Sequence, residues 1–141
     1  RENQEMHTNT SVLTANGVDL TNIELPELEI PVLTGSQRQG DVLVLRVTTE
    51  HKGEPLAKGV TVVRAESNSS NTHTLVGDGL WESNARANRE DELVQGWLTV
   101  PRGGEAFLIH TEEHNAIGIG AGTYEIRRQR EFAGEWRRVA D

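Results

Sequence analysis

The chain contains no cysteine, one methionine, one tyrosine and two phenylalanines. Without cysteine, neither disulfides nor thiolate-ligated metal centres can form. Aromatic residues make up 4% and hydrophobic residues 35% of 141 positions. That is enough for one domain with one core, with part of the chain left over as an extension. No apolar run approaches the roughly 20 residues a membrane-spanning helix needs, and no signal-peptide pattern is visible. These absences leave the setting open, a cytoplasmic one being compatible with them, and because the chain starts at Arg1 and not Met, a processed start stays open too. Positive charge is also scarce: 14 basic residues stand against 22 acidic ones, a net charge of −8. This excludes direct non-specific nucleic-acid binding, which needs a cationic surface, and disfavours attraction to an anionic membrane. The partners left to expect are proteins, including further copies of the chain. Nucleophile and phosphate motifs are missing too: there is no G-x-S-x-G and no Walker A loop. The GIGAGT stretch at 118–123 does not lie between a strand and a helix, so it reads as a flexible turn.

The basic residues present are unevenly placed. Twelve of the fourteen are arginine, and five of those fall between Arg127 and Arg138. Such a strip is either a strand edge with intramolecular ion pairs or a surface for a carboxylate or phosphate partner.

Residues 1–38 read as an extended N-terminal arm. The opening RENQEMHTNTSVLTANG is polar and without a sustained period. In DLTNIELPELEIPVL, the apolar residues Ile23, Leu25, Leu28 and Ile30 alternate with acids and prolines. Proline lacks a backbone donor, so the stretch suits an edge strand or a strap and not a helix. Its apolar anchors are candidate partner-binding residues, seated on the parent domain or on a neighbouring subunit.

Residues 39–141 read as an all-β domain, a single compact barrel or sandwich. DVLVLRVT, VTVVRAE, GWLTVP, EAFLIHT and GTYEIRRQREF have the β-branched content of short strands. THTLVGDGLW suggests a hairpin about the turn Gly77-Asp78-Gly79, and ESNARANREDELVQ is the one segment with helical character, although it is polar enough to be simply a loop. Alternation in the last strand puts Tyr124, Ile126, Arg128 and Arg130 on one face. If the first two point inward, either that strand leaves the core before the arginines, the favoured reading, or their guanidiniums are paired inside a cavity, since a buried unpaired guanidinium is strongly disfavoured. Arg128 and Arg130 then join the partner-binding candidates.

HTEEH, residues 110–114, packs four metal-ligand side chains into five positions. On a helix, His110 and His114 would have HExxH spacing, but the glutamates fall at the wrong positions for that motif. On a strand, His110, Glu112 and His114 would share one side. With His73 they form a candidate site for one divalent transition metal, with Glu112 or Glu113 as a further ligand or base. The alternative is a solvated strand end running into a turn, with no cofactor.

Two resemblances follow from these segments. GWLTVPRGGEAFLIHTEEHN, with Gly96, Pro101, Gly103 and His110, is similar to the second half of a cupin barrel, which implies cupin-like or jelly-roll-like topology and a histidine-bound metal. THTLVGDG supplies only His73 where the first cupin motif has H-x-H and a glutamate. VVRAESNSSNTHTLVGDG, FLIHTEEHNAIGIGAGTYEIRRQREF and RRVAD resemble an uncharacterised family of small proteins from actinobacteria and their phages. That resemblance covers a little over half the chain and singles out His73, His114, Gln129, Arg130 and Glu131. The functional expectation is a non-catalytic β-domain for binding or assembly, a phage or phage-derived structural component whose arm docks on neighbouring subunits. The alternative is a cupin-like metal protein using His73, His110 and His114.

Overall fold

Alternation sorts the apolar segments into two packed faces. In VLVLRV, Val42 and Val44 are buried while Leu43 and Leu45 are only half-buried, as expected of a strand with one face on a core. The computed structural model describes residues 7–20, 29–56, 59–63, 72–87, 89, 92–128, 130–132 and 136–138. In chain order these form α1 (Asn9–Ala15), β1 (Val32–Leu33), β2 (Gln37–Gln39), β3 (Val42–Val47), β4 (Glu54–Pro55), β5 (Val60–Val63) and β6 (His73–Gly77). There follow β7 (Leu80–Ser83), β8 (Val94–Val100), β9 (Ala106–His110), β10 (Asn115–Ile119), β11 (Gly122–Arg128), β12 (Arg130–Phe132) and β13 (Trp136–Arg138).

A five-stranded sheet, β1-β10-β9-β6-β5, packs against a six-stranded sheet, β2-β3-β11-β8-β7-β4, and β12 and β13 pair as a separate hairpin. The architecture is a sandwich and not a closed barrel. Its interior is filled from both sheets by Val42, Val44, Leu75, Leu98, Val100, Leu108, Ile119, Tyr124 and Ile126, the inward positions of strands that alternate. The Tyr124 hydroxyl donates to the Gly120 carbonyl at 2.8 Å, which resembles the tyrosine corner of Greek-key sandwiches. Burial of the phenol raises its pKa above the ordinary value, and the nearby Arg46 charge partly opposes that shift.

β9 is buried at all five positions. Ala106, Leu108 and His110 face the interior, while Phe107 and Ile109 face outward. A sheet with an apolar outer face must be covered, and the arm covers it. Val12 and Leu13 of α1, together with Ile30, pack with Val76, Phe107, Ile109 and Ala116 in a second cluster separate from the core.

Four expectations need correction. The opening of the arm is not wholly extended: α1 forms there, started by a capping box in which the Thr8 side chain accepts from the Ser11 backbone and Ser11 from that of Thr8. The helical segment expected at 82–95 holds the end of β7, a turn at 85–87 and the start of β8, with no helix among its described residues. The Gly77-Asp78-Gly79 turn does not make a hairpin, because β6 and β7 belong to different sheets. The chain arches between layers there, held by Asp78, whose backbone N–H donates to the Glu105 carbonyl and whose carboxylate accepts from the Glu105 N–H. The last correction concerns GIGAGT, which is not a loop throughout, since Gly118 and Ile119 belong to β10. Gly118 is there for closeness: a Cβ would stand 2.7 Å from the Pro31 carbonyl oxygen as β1 passes in parallel. The strap reading holds in part, with Val32 and Leu33 forming an edge strand; residues 21–28 lie outside the described residues.

Candidate functional site

Sheet register gathers polar side chains at one end of the sandwich. In the five-stranded sheet, His73 pairs with His110 and His110 with Asn115, a row across β6, β9 and β10. In the opposite sheet, Arg128 pairs with Val42 and Val42 with Gln39, a row across β11, β3 and β2. His73 is fully buried, while His110 and Gln39 are each 3% exposed. The two imidazoles stack with centroids 4.1 Å apart and planes at 27°. Gln39 joins the layers. Its Oε1 lies 2.9 Å from His73 Nδ1, and its Nε2 donates to the Leu108 carbonyl and to Asn115 Oδ1, both at 2.8 Å. With the carbonyl oxygen turned to the ring, His73 Nδ1 is the donor. Buried amide and imidazole groups satisfied in this way specify how two sheets register.

The structure thus brings His73 and His110 together but does not add the other two candidates as a ligand set. Among the described residues, no group of three histidine, aspartate or glutamate side chains is arranged to hold a metal ion. The reason is local. β9 ends at His110, and residues 111–114 form a turn, so His110, Glu112 and His114 do not share a strand face. His114 sits at φ 52° and closes the turn by donating its backbone N–H to the Thr111 carbonyl. Exposed Glu112 accepts the Thr72 backbone N–H at 2.7 Å, tying the turn to the start of β6.

The arginine strip is split by the pleat. Arg127 faces outward and pairs with Glu125 at 3.5 Å. Arg128 is 7% exposed, so the inward face of β11 continues past Ile126. This overturns the expectation that the strand leaves the core before Arg128. Arg130 and Glu131 lie on β12; Gln129 and the arm residues Ile23, Leu25 and Leu28 fall outside the described residues, while Ile30 is buried in the arm cluster.

Two features escaped sequence reading. The first is the seam beneath the arm. A cavity of about 420 Å³ opens between α1 and the sheet, lined by His7, Val12, Ala15, Val76 and Phe107 among others. A second, of about 230 Å³, lies farther along the same seam beside Ile30 and Ala116. His7 sits at the rim, its Nε2 3.2 Å from the Glu105 carboxylate and its ring edge-on to Phe107. The second feature is the loop before β4, where His51 lies flat on Trp97, with centroids 4.4 Å apart and planes at 5°. His51 also contacts Thr49 and Glu82. Its neighbours in space come from β7 and β8, so no local pattern announces them.

Fold and site together define a two-sheet β-sandwich with a polar layer closing one end and a helical arm seated on one outer face. Residues 38–129 match the family model described as Domain of unknown function (DUF8820), which covers more than half of the chain, and the chain belongs to that family. No curated protein and no solved structure matches it.

Proposed function

We propose that the chain is a non-catalytic β-domain for binding or assembly, a phage or phage-derived structural component whose N-terminal arm docks on neighbouring subunits. One observation carries this reading: the arm buries Val12, Leu13 and Ile30 in an apolar groove that is separate from the sandwich core. An anchor that does not share the core can change hosts without unmaking it. In a single chain the groove is filled by the chain's own arm. In an assembly the same contacts form between copies, as in domain exchange. Cavities along the seam favour exchange, because the arm gives up less dispersion contact on leaving than a close-packed element would. Each fully buried anchor contributes about 1.5–3 kcal/mol. Light scattering of the full chain is expected to report a mass above one chain, and removal of residues 1–30, which takes the arm anchors but leaves β1 and β2, to abolish the association. A strictly monomeric full chain at all concentrations would defeat the reading.

A second reading, a cupin-like protein binding one divalent transition metal, rests on the contact between His73 and His110. It requires stoichiometric metal in protein purified without a histidine tag, lost in His110→Ala.

A further inference from the structure

The loop from Thr48 to Gly53 holds a hydroxyl and an imidazole in hydrogen-bonded series with a carboxylate from β7. Thr49 Oγ1 lies 3.0 Å from His51 Nε2, and His51 Nδ1 lies 3.2 Å from Glu82 Oε2. An ionised carboxylate only accepts, so Nδ1 carries a proton, and in the neutral ring Nε2 then presents its lone pair to the threonine hydroxyl. The remaining glutamate oxygen accepts the Lys52 backbone N–H at 3.1 Å, which fixes the carboxylate. The ring stacks on Trp97, and the His51 backbone is held as well, its carbonyl accepting from the Thr99 hydroxyl at 3.3 Å. Gly53 allows the loop to lie this close, since a Cβ there would stand 2.2 Å from the Trp81 carbonyl oxygen. Thr49 is exposed, and its branched Cβ limits the positions of Oγ1.

We infer that Thr49 is an acyl-acceptor site, a hydroxyl activated by His51 that takes an acyl group from an activated ester. Thr49 Oγ1 bonds to the acyl carbonyl carbon, and its proton passes to His51 Nε2. The bond from that carbon to the leaving oxygen or sulfur breaks, and the leaving group departs with the electron pair and takes the proton back from His51 Nε2. The products are an O-acyl threonine and the freed alcohol or thiol, with no change of oxidation state. Glu82 is a positioning residue, holding the tautomer that leaves Nε2 bare. The inference is independent of the arm and of any assembly.

The test uses the full chain and p-nitrophenyl acetate, following p-nitrophenolate release and mapping the acetyl group by peptide mass spectrometry. Acetyl is expected on Thr49, and Thr49→Val removes it. His51→Phe keeps an aromatic ring on Trp97 but has no base, and slows labelling about a hundredfold, the scale of general-base assistance. Glu82→Gln slows labelling about tenfold or more with an unchanged melting temperature, a separation that a merely structural role would not produce. Acetyl found only on lysines or the terminal amine, or on Thr49 at the same rate in His51→Phe, would overturn the inference.

Discussion

Replacing Gln39 by leucine removes a side chain that hydrogen-bonds across the polar end of the sandwich. Three contacts go: to His73 Nδ1 at 2.9 Å, and to the Leu108 carbonyl and Asn115 Oδ1, each at 2.8 Å. Each bond contributes about 0.5–1.5 kcal/mol net, and a buried group left without a partner costs about 1–3 kcal/mol. Burial of the leucine side chain offsets part of this loss. The expected net change is a destabilisation of about 2–4 kcal/mol, read as a lower urea midpoint with an unchanged slope. A cycle with His73→Leu sharpens the result, because the two side chains are in contact and should couple by at least about 0.5 kcal/mol. A loss below about 0.5 kcal/mol for Gln39→Leu, or strict additivity in the cycle, would refute the view that this network holds the sheets in register.

Two further substitutions probe other parts of the fold. Gly53→Ala forces the loop off β7, since the new methyl would sit 2.2 Å from the Trp81 carbonyl oxygen; a loss of about 1–3 kcal/mol is expected, along with altered tryptophan fluorescence as His51 lifts from Trp97. Tyr124 has a pKa raised by burial, so the folded state favours the neutral phenol. Its contribution is complete below the ordinary tyrosine value of about 10 and is lost as pH rises through the higher folded value. Urea unfolding on either side of that range should show an alkaline loss of stability that Tyr124→Phe reduces.

Much of the β-structure was legible in the sequence because β3 and β9 carry apolar runs of strand length, while β8 and β11 interleave β-branched and aromatic residues with polar ones. What escaped was decided by long-range contact. β10 is hidden by Gly118 and Gly120, which read locally as a turn but exist to let β1 approach. α1 offers only Val12 and Leu13 as large apolar residues over seven positions, too few to display a period, and it forms because an apolar sheet face waits beneath it. The Asp-Gly signal at 78–79 was correctly a turn, yet whether a turn closes a hairpin or crosses between sheets depends on which strands accept the flanks. The meeting of His73 with His110 could be suspected from their places at strand ends, but only the register of β6 on β9 brings it about. His51 has no local signal, because Glu82 and Trp97, which it contacts, lie 31 and 46 positions away.

The central claim, that one copy's arm occupies another copy's groove, is tested most directly by complementation. Leu13→Asp spoils the arm and leaves the groove intact. Ala116→Trp blocks the groove, whose wall Ala116 forms beside α1, and leaves the arm intact. Each variant alone should be monomeric by light scattering, and an equimolar mixture should regain associated mass containing both chains. A mixture that remains monomeric while the unaltered chain associates would contradict the claim.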